Sequence, residues 1–121
     1  MRASLQPGVS SETTVVVTKE MSPPHLPTVV LSTPDMIRQI EGACLQLAQQ
    51  HLDEGELTVG THVCVSHTGA AFEGETVTVK VSVQEINGRR ITFAEEVLSP
   101  RGAISTGTHE RAVVRQDRYK S

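Results

Sequence analysis

Aromatic side chains are almost absent from this 121-residue chain: Phe72, Phe93 and Tyr119 are all it has, and there is no Trp. An aliphatic core is therefore expected, and stacking on nucleic-acid bases is an unexpected mode of action. Positive charge is also in short supply. Eleven Lys+Arg against fourteen Asp+Glu leave a formal net charge of -3, the wrong sign for a general nucleic-acid binder. No apolar run approaches the ~20 residues of a membrane span. The first residues carry no apolar signal region, and two cysteines make no disulfide framework. The chain thus reads as cytoplasmic, with no nucleic-acid or membrane partner. Metal-ligand spacing is missing too. His25, His51, His62, His67 and His109 form no tight cluster with either cysteine, so no metal is expected. Neither a nucleophile elbow nor a phosphate-binding glycine loop occurs.

What remains is a polar tail over residues 1–12, a domain over 13–115 and a charged tail over 116–121. Thr13–Thr18 is rich in β-branched residues and reads as a strand. Three prolines make Met21–Pro27 an extended loop. A helix is expected over Pro34–Leu52, with Thr33 as N-cap, Pro34 at the first helical position and Asp35 in the first turn. Its apolar stripe holds Ile37, Ile40, Cys44, Leu45, Leu47, Ala48 and Leu52. After Gly55 the period becomes two. Val59, Val63, Val65 and His67 share one face by strict alternation, followed by Val77, Val79, Val81 and Val83, then Ile91, Phe93 and Val97 across the Asn87-Gly88 hairpin signal. Ala103–Val114 is the last strand. One amphipathic helix against five antiparallel strands is an α+β arrangement with two open sheet edges, which pairing with a second copy would protect.

Three residues break the pattern. Glu41 falls inside the apolar stripe, where a carboxylate must be paired, hydrogen-bonded or protonated. Either it meets an arginine such as Arg89 or Arg90, or it is an acid held in a low-dielectric cleft for catalysis. His67, by strand parity, faces the same interior; it is a satisfied core histidine or a general acid/base. Thr33 is a helix cap or a hydroxyl offered at the positive end of a helix. Gly60 and Gly107 interrupt strands, as at a bulge or a close ligand approach. His109 and Arg111 share a face of the last strand, where an arginine can hold an anion or lie at the surface.

The segments Val30–Cys44 (VLSTPDMIRQIEGAC), Thr58–Gly74 (TVGTHVCVSHTGAAFEG), Ile86–Ile91 (INGRRI) and Gly107–Val114 (GTHERAVV) resemble the hot-dog-fold thioesterases of the fluoroacetyl-CoA thioesterase type. The resemblance covers about residues 13–115. It implies a hot-dog fold, with one long central helix packed on a five-stranded antiparallel sheet, forming a homodimer or a dimer of dimers with active sites at the interface. It also implies hydrolysis of an acyl-CoA thioester, with coenzyme A as part of the substrate and no other cofactor. Thr33, Glu41 and His67 carry over as catalytic positions, Gly60 as a backbone contact near the reacting carbonyl, and Arg111 as a substrate-binding residue. One departure bears on specificity. The family's phenylalanines before the catalytic threonine gate the pocket, and Pro24–Leu31 here has no aromatic residue, so the acyl group stays open. The same fold could instead carry a non-catalytic acyl-CoA-binding protein or an enoyl-thioester hydratase.

Overall fold

The structure, a computed structural model, describes residues 1–119. Strand β1 (Ser10–Val16) leads through the proline-rich loop to helix α1 (Thr33–Gln49), and β2 (Glu56–Val65), β3 (Thr76–Asn87), β4 (Arg90–Ser99) and β5 (Gly102–Arg115) follow. All pairings are antiparallel, in the order β1-β3-β4-β5-β2, so β1 and β2 are the two free edges. The helix lies on one face. Met36, Ile40, Ala43, Cys44, Leu47 and Ala48 are buried from its side, and Val77, Val79, Val81, Val83, Ile91, Phe93 and Val97 from the sheet. This aliphatic interior is what alternation of the β3 and β4 valines and isoleucine demands. No helix among the described residues is long and apolar enough to cross a membrane.

Several expectations change. Residues 1–9 are not a loose tail. Leu5 is buried, the Arg2 amide donates to the His51 carbonyl at 2.8 Å, and Gly8 and Val9 exchange backbone hydrogen bonds with Val83 at 2.9 and 2.7 Å. Leu5, with Met1 and Val9 packed against the core beside it, anchors the segment, and the end of β3 gives it a partner. The first strand accordingly begins at Ser10 and stops at Val16. The helix ends at Gln49, although Leu52 still packs into the core. Beyond β5, Gln116–Tyr119 form a single 3-10 turn, and residues 120–121 lie outside the described residues.

The largest revision concerns β2. Its register against β5 shifts between Gly60 and His62, leaving Thr61 as the extra residue of a β-bulge. Thr58 therefore faces inward and Val59 outward, whereas Val63 and Val65 face inward after the bulge. Strict alternation had set Val59, Val63 and Val65 on one face.

Candidate active site

The segment Ser32-Thr33-Pro34-Asp35 offers two hydroxyls at the helix start. Ser32, not Thr33, is the N-cap: its Oγ accepts the Asp35 backbone N–H at 3.2 Å and donates to the Asp35 carboxylate at 3.0 Å. Thr33 becomes the first helical residue, and its hydroxyl is released from capping. That hydroxyl hydrogen-bonds to His67 Nδ1 at 2.7 Å. His67 is not on strand β2. It sits half-buried in the following loop, which is tied to β5 by the Ser66 amide on the Thr106 carbonyl (3.0 Å) and the Thr68 amide on the Ile104 carbonyl (2.8 Å). Two separate elements thus fix the two ends of the Thr33–His67 pair. Ser32→Ala is expected to cost about 1 kcal/mol, lowering the melting temperature by about 4 °C while leaving turnover within about twofold. Thermal melting and steady-state assays read the two effects separately.

Glu41 stands elsewhere on the same helix. Its expected pairing with Arg89 or Arg90 does not occur, since Arg89 turns to Glu56 at 3.4 Å. Among the described residues no hydrogen bond or ion pair holds the Glu41 carboxylate. Instead it lies over Gly60. A Cβ at that glycine would stand 3.2 Å from Glu41 Oε1, 3.3 Å from His109 Cε1 and 3.4 Å from Arg111 Nη1. Gly60, Glu41, His109 and Arg111 therefore form one cluster.

Behind the carboxylate the sheet supplies a fixed positive charge. Arg111, 5% exposed, donates through Nε to Thr58 Oγ1 at 2.8 Å and through Nη2 to the Thr58 carbonyl at 3.0 Å. His109 Nδ1 faces the His62 carbonyl at 2.8 Å, which can only accept, so Nδ1 carries the proton and Nε2 accepts from Arg111 Nη1 at 3.1 Å. Burial, aided by the neighbouring guanidinium, pushes the His109 pKa down and keeps this imidazole neutral. Burial also lowers the Arg111 pKa, opposed by the attraction of Glu41, and a guanidinium stays charged under such a shift. Cys44 is no competing nucleophile, because burial drives its thiol up to about 12. Cys64 is exposed, on the outer face of β2. Among the described residues no group of three His, Cys, Asp or Glu is placed to hold a metal ion.

The expected residues thus fall into two groups. Thr33 touches His67; Glu41 adjoins Gly60 and Arg111. Eight helical residues separate the groups, about 12 Å along the axis. Gly60 is exposed, and so are Leu45 of the helix (40%) and Val63 of the free β2 edge (39%). His109 emerges as a full member of the cluster rather than a neighbour of a surface arginine. Glu95 is a buried polar residue that pattern reading passed over, although alternation through Ile91, Phe93 and Val97 puts it on the inner face. Gly60→Ala is expected to press on the Glu41 carboxylate and Arg111, lowering kcat/KM by about tenfold or more, because small misplacements at a reacting centre are costly. A comparison of kcat/KM with the melting temperature checks that catalysis is hit harder than stability.

The chain is similar to known proteins over most of its length. Residues 9–117 match the family model of FlK, the fluoroacetyl-CoA-specific thioesterase. The fluoroacetyl-CoA thioesterase of Streptantibioticus cattleyicolor is 35% identical over 92 residues, spanning 76% of this chain and 66% of that protein, just under two thirds of its length. A solved structure of the fluoroacetyl-CoA thioesterase FlK superposes with a TM-score of 0.89 at 30% identity, over 95% of this chain and 92% of that one. A variant of FlK in complex with fluoroacetate and CoA gives a TM-score of 0.88 at 30% identity, over 96% and 100% of the two chains. A hot-dog-like protein from Thermanaerovibrio acidaminovorans shares the fold at 23% identity, with a TM-score of 0.86 over 95% and 93%. The helix wrapped by a five-stranded antiparallel sheet is the hot-dog fold, and the chain belongs to the fluoroacetyl-CoA-specific thioesterase family.

Proposed function

We propose that the protein hydrolyses an acyl-CoA thioester, with Thr33, Glu41 and His67 as the catalytic set. The observation that carries this reading is the Glu41 carboxylate, unpaired among the described residues and held over an exposed glycine beside a bulge. The thioester carbonyl lies against Gly60, its oxygen polarised by backbone N–H groups of that segment. Glu41 either attacks the carbonyl carbon, giving a mixed anhydride that water opens, or takes a proton from an attacking water. In both routes the C–S bond breaks and the CoA sulfur leaves as thiolate or takes up a proton. Water supplies the oxygen of the new acid. Arg111 steadies the charge on Glu41 from behind, and His67, set by Thr33, moves the proton. Coenzyme A enters as part of the substrate, and the free thiols Cys44 and Cys64 fit action on a cytoplasmic CoA pool.

A second copy completes the site in this reading. A single carbonyl cannot touch groups about 12 Å apart along one helix. The helix runs antiparallel to β2: Thr33 meets His67 beyond one end of that strand, and Gln49 Nε2 reaches the Glu56 carbonyl at the other. Two-fold pairing of the free β2 edges sets two such helices side by side and antiparallel. The Thr33–His67 pair of one protomer is thereby returned toward Glu41 of its partner, and Leu45 and Val63 are covered.

The direct experiment is release of free thiol from a panel of short, branched, aromatic and long acyl-CoAs. Release with at least one member is expected. Loss of enoyl absorbance without thiol would point to hydration instead, and CoA binding without either would point to a binding protein.

A further inference from the structure

The interior holds one polar pair that the proposed mechanism does not use. Glu95, on β4, is 5% exposed and sits among Phe93, Val97 and, across the ladder, Val81, all buried apolar residues. Ser105, 1% exposed, donates its hydroxyl to Glu95 Oε1 at 2.8 Å. The second oxygen, Oε2, is buried without a hydrogen-bond partner among the described residues. An orphaned carboxyl oxygen in an aliphatic core is costly, and natural sequences rarely keep one without a use. Burial raises the pKa of this group against the opposing pull of Ser105; with no ion-pair partner among the described residues and apolar neighbours around it, the carboxyl is held as the neutral acid rather than as an uncompensated buried charge. In a neutral acid whose Oε1 accepts from Ser105, Oε2 carries the proton. It is a donor with nothing to donate to.

The position of that donor relates it to the cleft. On the inner face the cross-strand row at this level reads Val65, Gly107, Glu95. Gly107 has no side chain to stand between Glu95 and the β2 edge. It can hardly acquire one, because its φ is +156° and a Cβ would fall 2.2 Å from the Cys64 carbonyl oxygen. Just past Val65 the chain turns to His67 and its contact with Thr33. From above, Cys44 feels the charges of both Glu95 and Glu41, and it lies three residues from Glu41 on the helix. Glu95 thus lies on the same inner face of the sheet as Arg111 and His109, separated by β5 alone from the β2 edge that leads to His67.

We infer that Glu95, oriented by Ser105, is a specificity residue that selects acyl groups bearing a hydrogen-bond acceptor, a hydroxyl or keto oxygen on the chain, by donating from Oε2. This rests on the acyl-CoA reading above and adds the substrate class. A pocket built around a buried donor rejects an analogue that leaves the donor unpaired far more strongly than an apolar pocket rejects a missing methylene.

The test uses matched pairs differing in one oxygen. For 3-hydroxyacyl-CoA against the plain acyl-CoA of equal length, kcat/KM is expected to favour the oxygenated member by at least about 30-fold. Glu95→Leu is expected to reduce that ratio to near unity. Glu95→Gln, which keeps an N–H donor, is expected to retain part of it. The Leu variant removes the orphaned Oε2 but leaves the Ser105 hydroxyl without its acceptor, so a thermal melt beside each ratio shows that the variant is folded. A binding arm separates this inference from the hydrolysis it rests on: S-(3-hydroxybutyl)-CoA and S-butyl-CoA thioethers, which cannot be hydrolysed, are titrated by calorimetry into the parent and Glu95→Leu proteins. Tighter binding of the hydroxylated thioether, lost in the Leu variant, supports it even where no thiol is released. Equal binding of the two thioethers, a preference that survives in Glu95→Leu, or binding of neither overturns it, while hydrolysis stands or falls on the thiol-release assay alone.

Discussion

Replacing Glu41 by glutamine is expected to lower kcat on the best acyl-CoA by about 10³-fold, the middle of the range for removing a positioned acid or base. Glutamine keeps the shape and removes both the negative charge and the nucleophilic oxygen. The KM should change little, because the carboxylate acts on the reacting carbonyl and not on the CoA portion. Stability should hold as well. Glu41 makes no hydrogen bond or ion pair among the described residues, so glutamine breaks none. A melting temperature within about 2 °C of the parent is expected, as for other changes away from packed or bonded groups. Steady-state kinetics beside a thermal melt read both quantities on one preparation. A Glu41→Gln protein that turned over at the parent rate would remove this carboxylate from the chemistry.

His67→Ala is expected to lower kcat by about 10²-fold, the lower part of the general acid–base range, since a water can take over some of the proton transfer. Thr33→Val should approach the same loss, because without the hydroxyl the 2.7 Å contact that sets the imidazole is gone. Thr33→Ser restores an oxygen at that place and is expected to recover most of the activity. The double variant Thr33→Val/His67→Ala should be little worse than His67→Ala alone, because two groups acting as a unit are lost together. Equal and additive losses would mean that the hydroxyl works directly on the substrate and independently of the histidine.

The helix and most of the sheet are legible in the residues because their signals are local. The stripe through Ile40, Cys44, Leu47 and Ala48 and the alternating valines of β3 depend on no distant partner, whereas Met36 and Ala43, outside the expected stripe, are buried and Leu45, inside it, is exposed, because the sheet covers an arc centred nearer Ile40 than Ile37. Glu41 stood out for the same reason, as a charge within an apolar stripe. What could not be read depends on contacts between elements. The bulge at Thr61 changes which residues of β2 face inward, and no turn residue marks it except Gly60. The cap is Ser32 rather than the expected Thr33; both stand ahead of Pro34, and only the Ser32–Asp35 contacts decide between them. That one-residue difference is what frees the Thr33 hydroxyl for His67. His109 and Arg111 could be assigned to one face, yet which face the helix covers is a tertiary fact. Glu95 was readable by parity and was passed over because acidic residues in strands usually face water. Leu5, a single apolar residue, gave no periodicity by which its docking could be seen.

In the proposed dimer, Thr33 and His67 of one protomer act on the same thioester as Glu41 of its partner. Mixing the inactive variants His67→Ala and Glu41→Gln, co-expressed with different tags and purified through each, measures it directly. In a shared site every mixed dimer holds one doubly damaged site and one intact site. An equal random mixture should therefore regain about one quarter of parental thiol release, since half the dimers are mixed and half their sites are whole. The doubly purified mixed dimer should regain about one half. If the mixed dimer forms and stays as inactive as its two parents, the catalytic set lies within one chain, and the shared site is wrong.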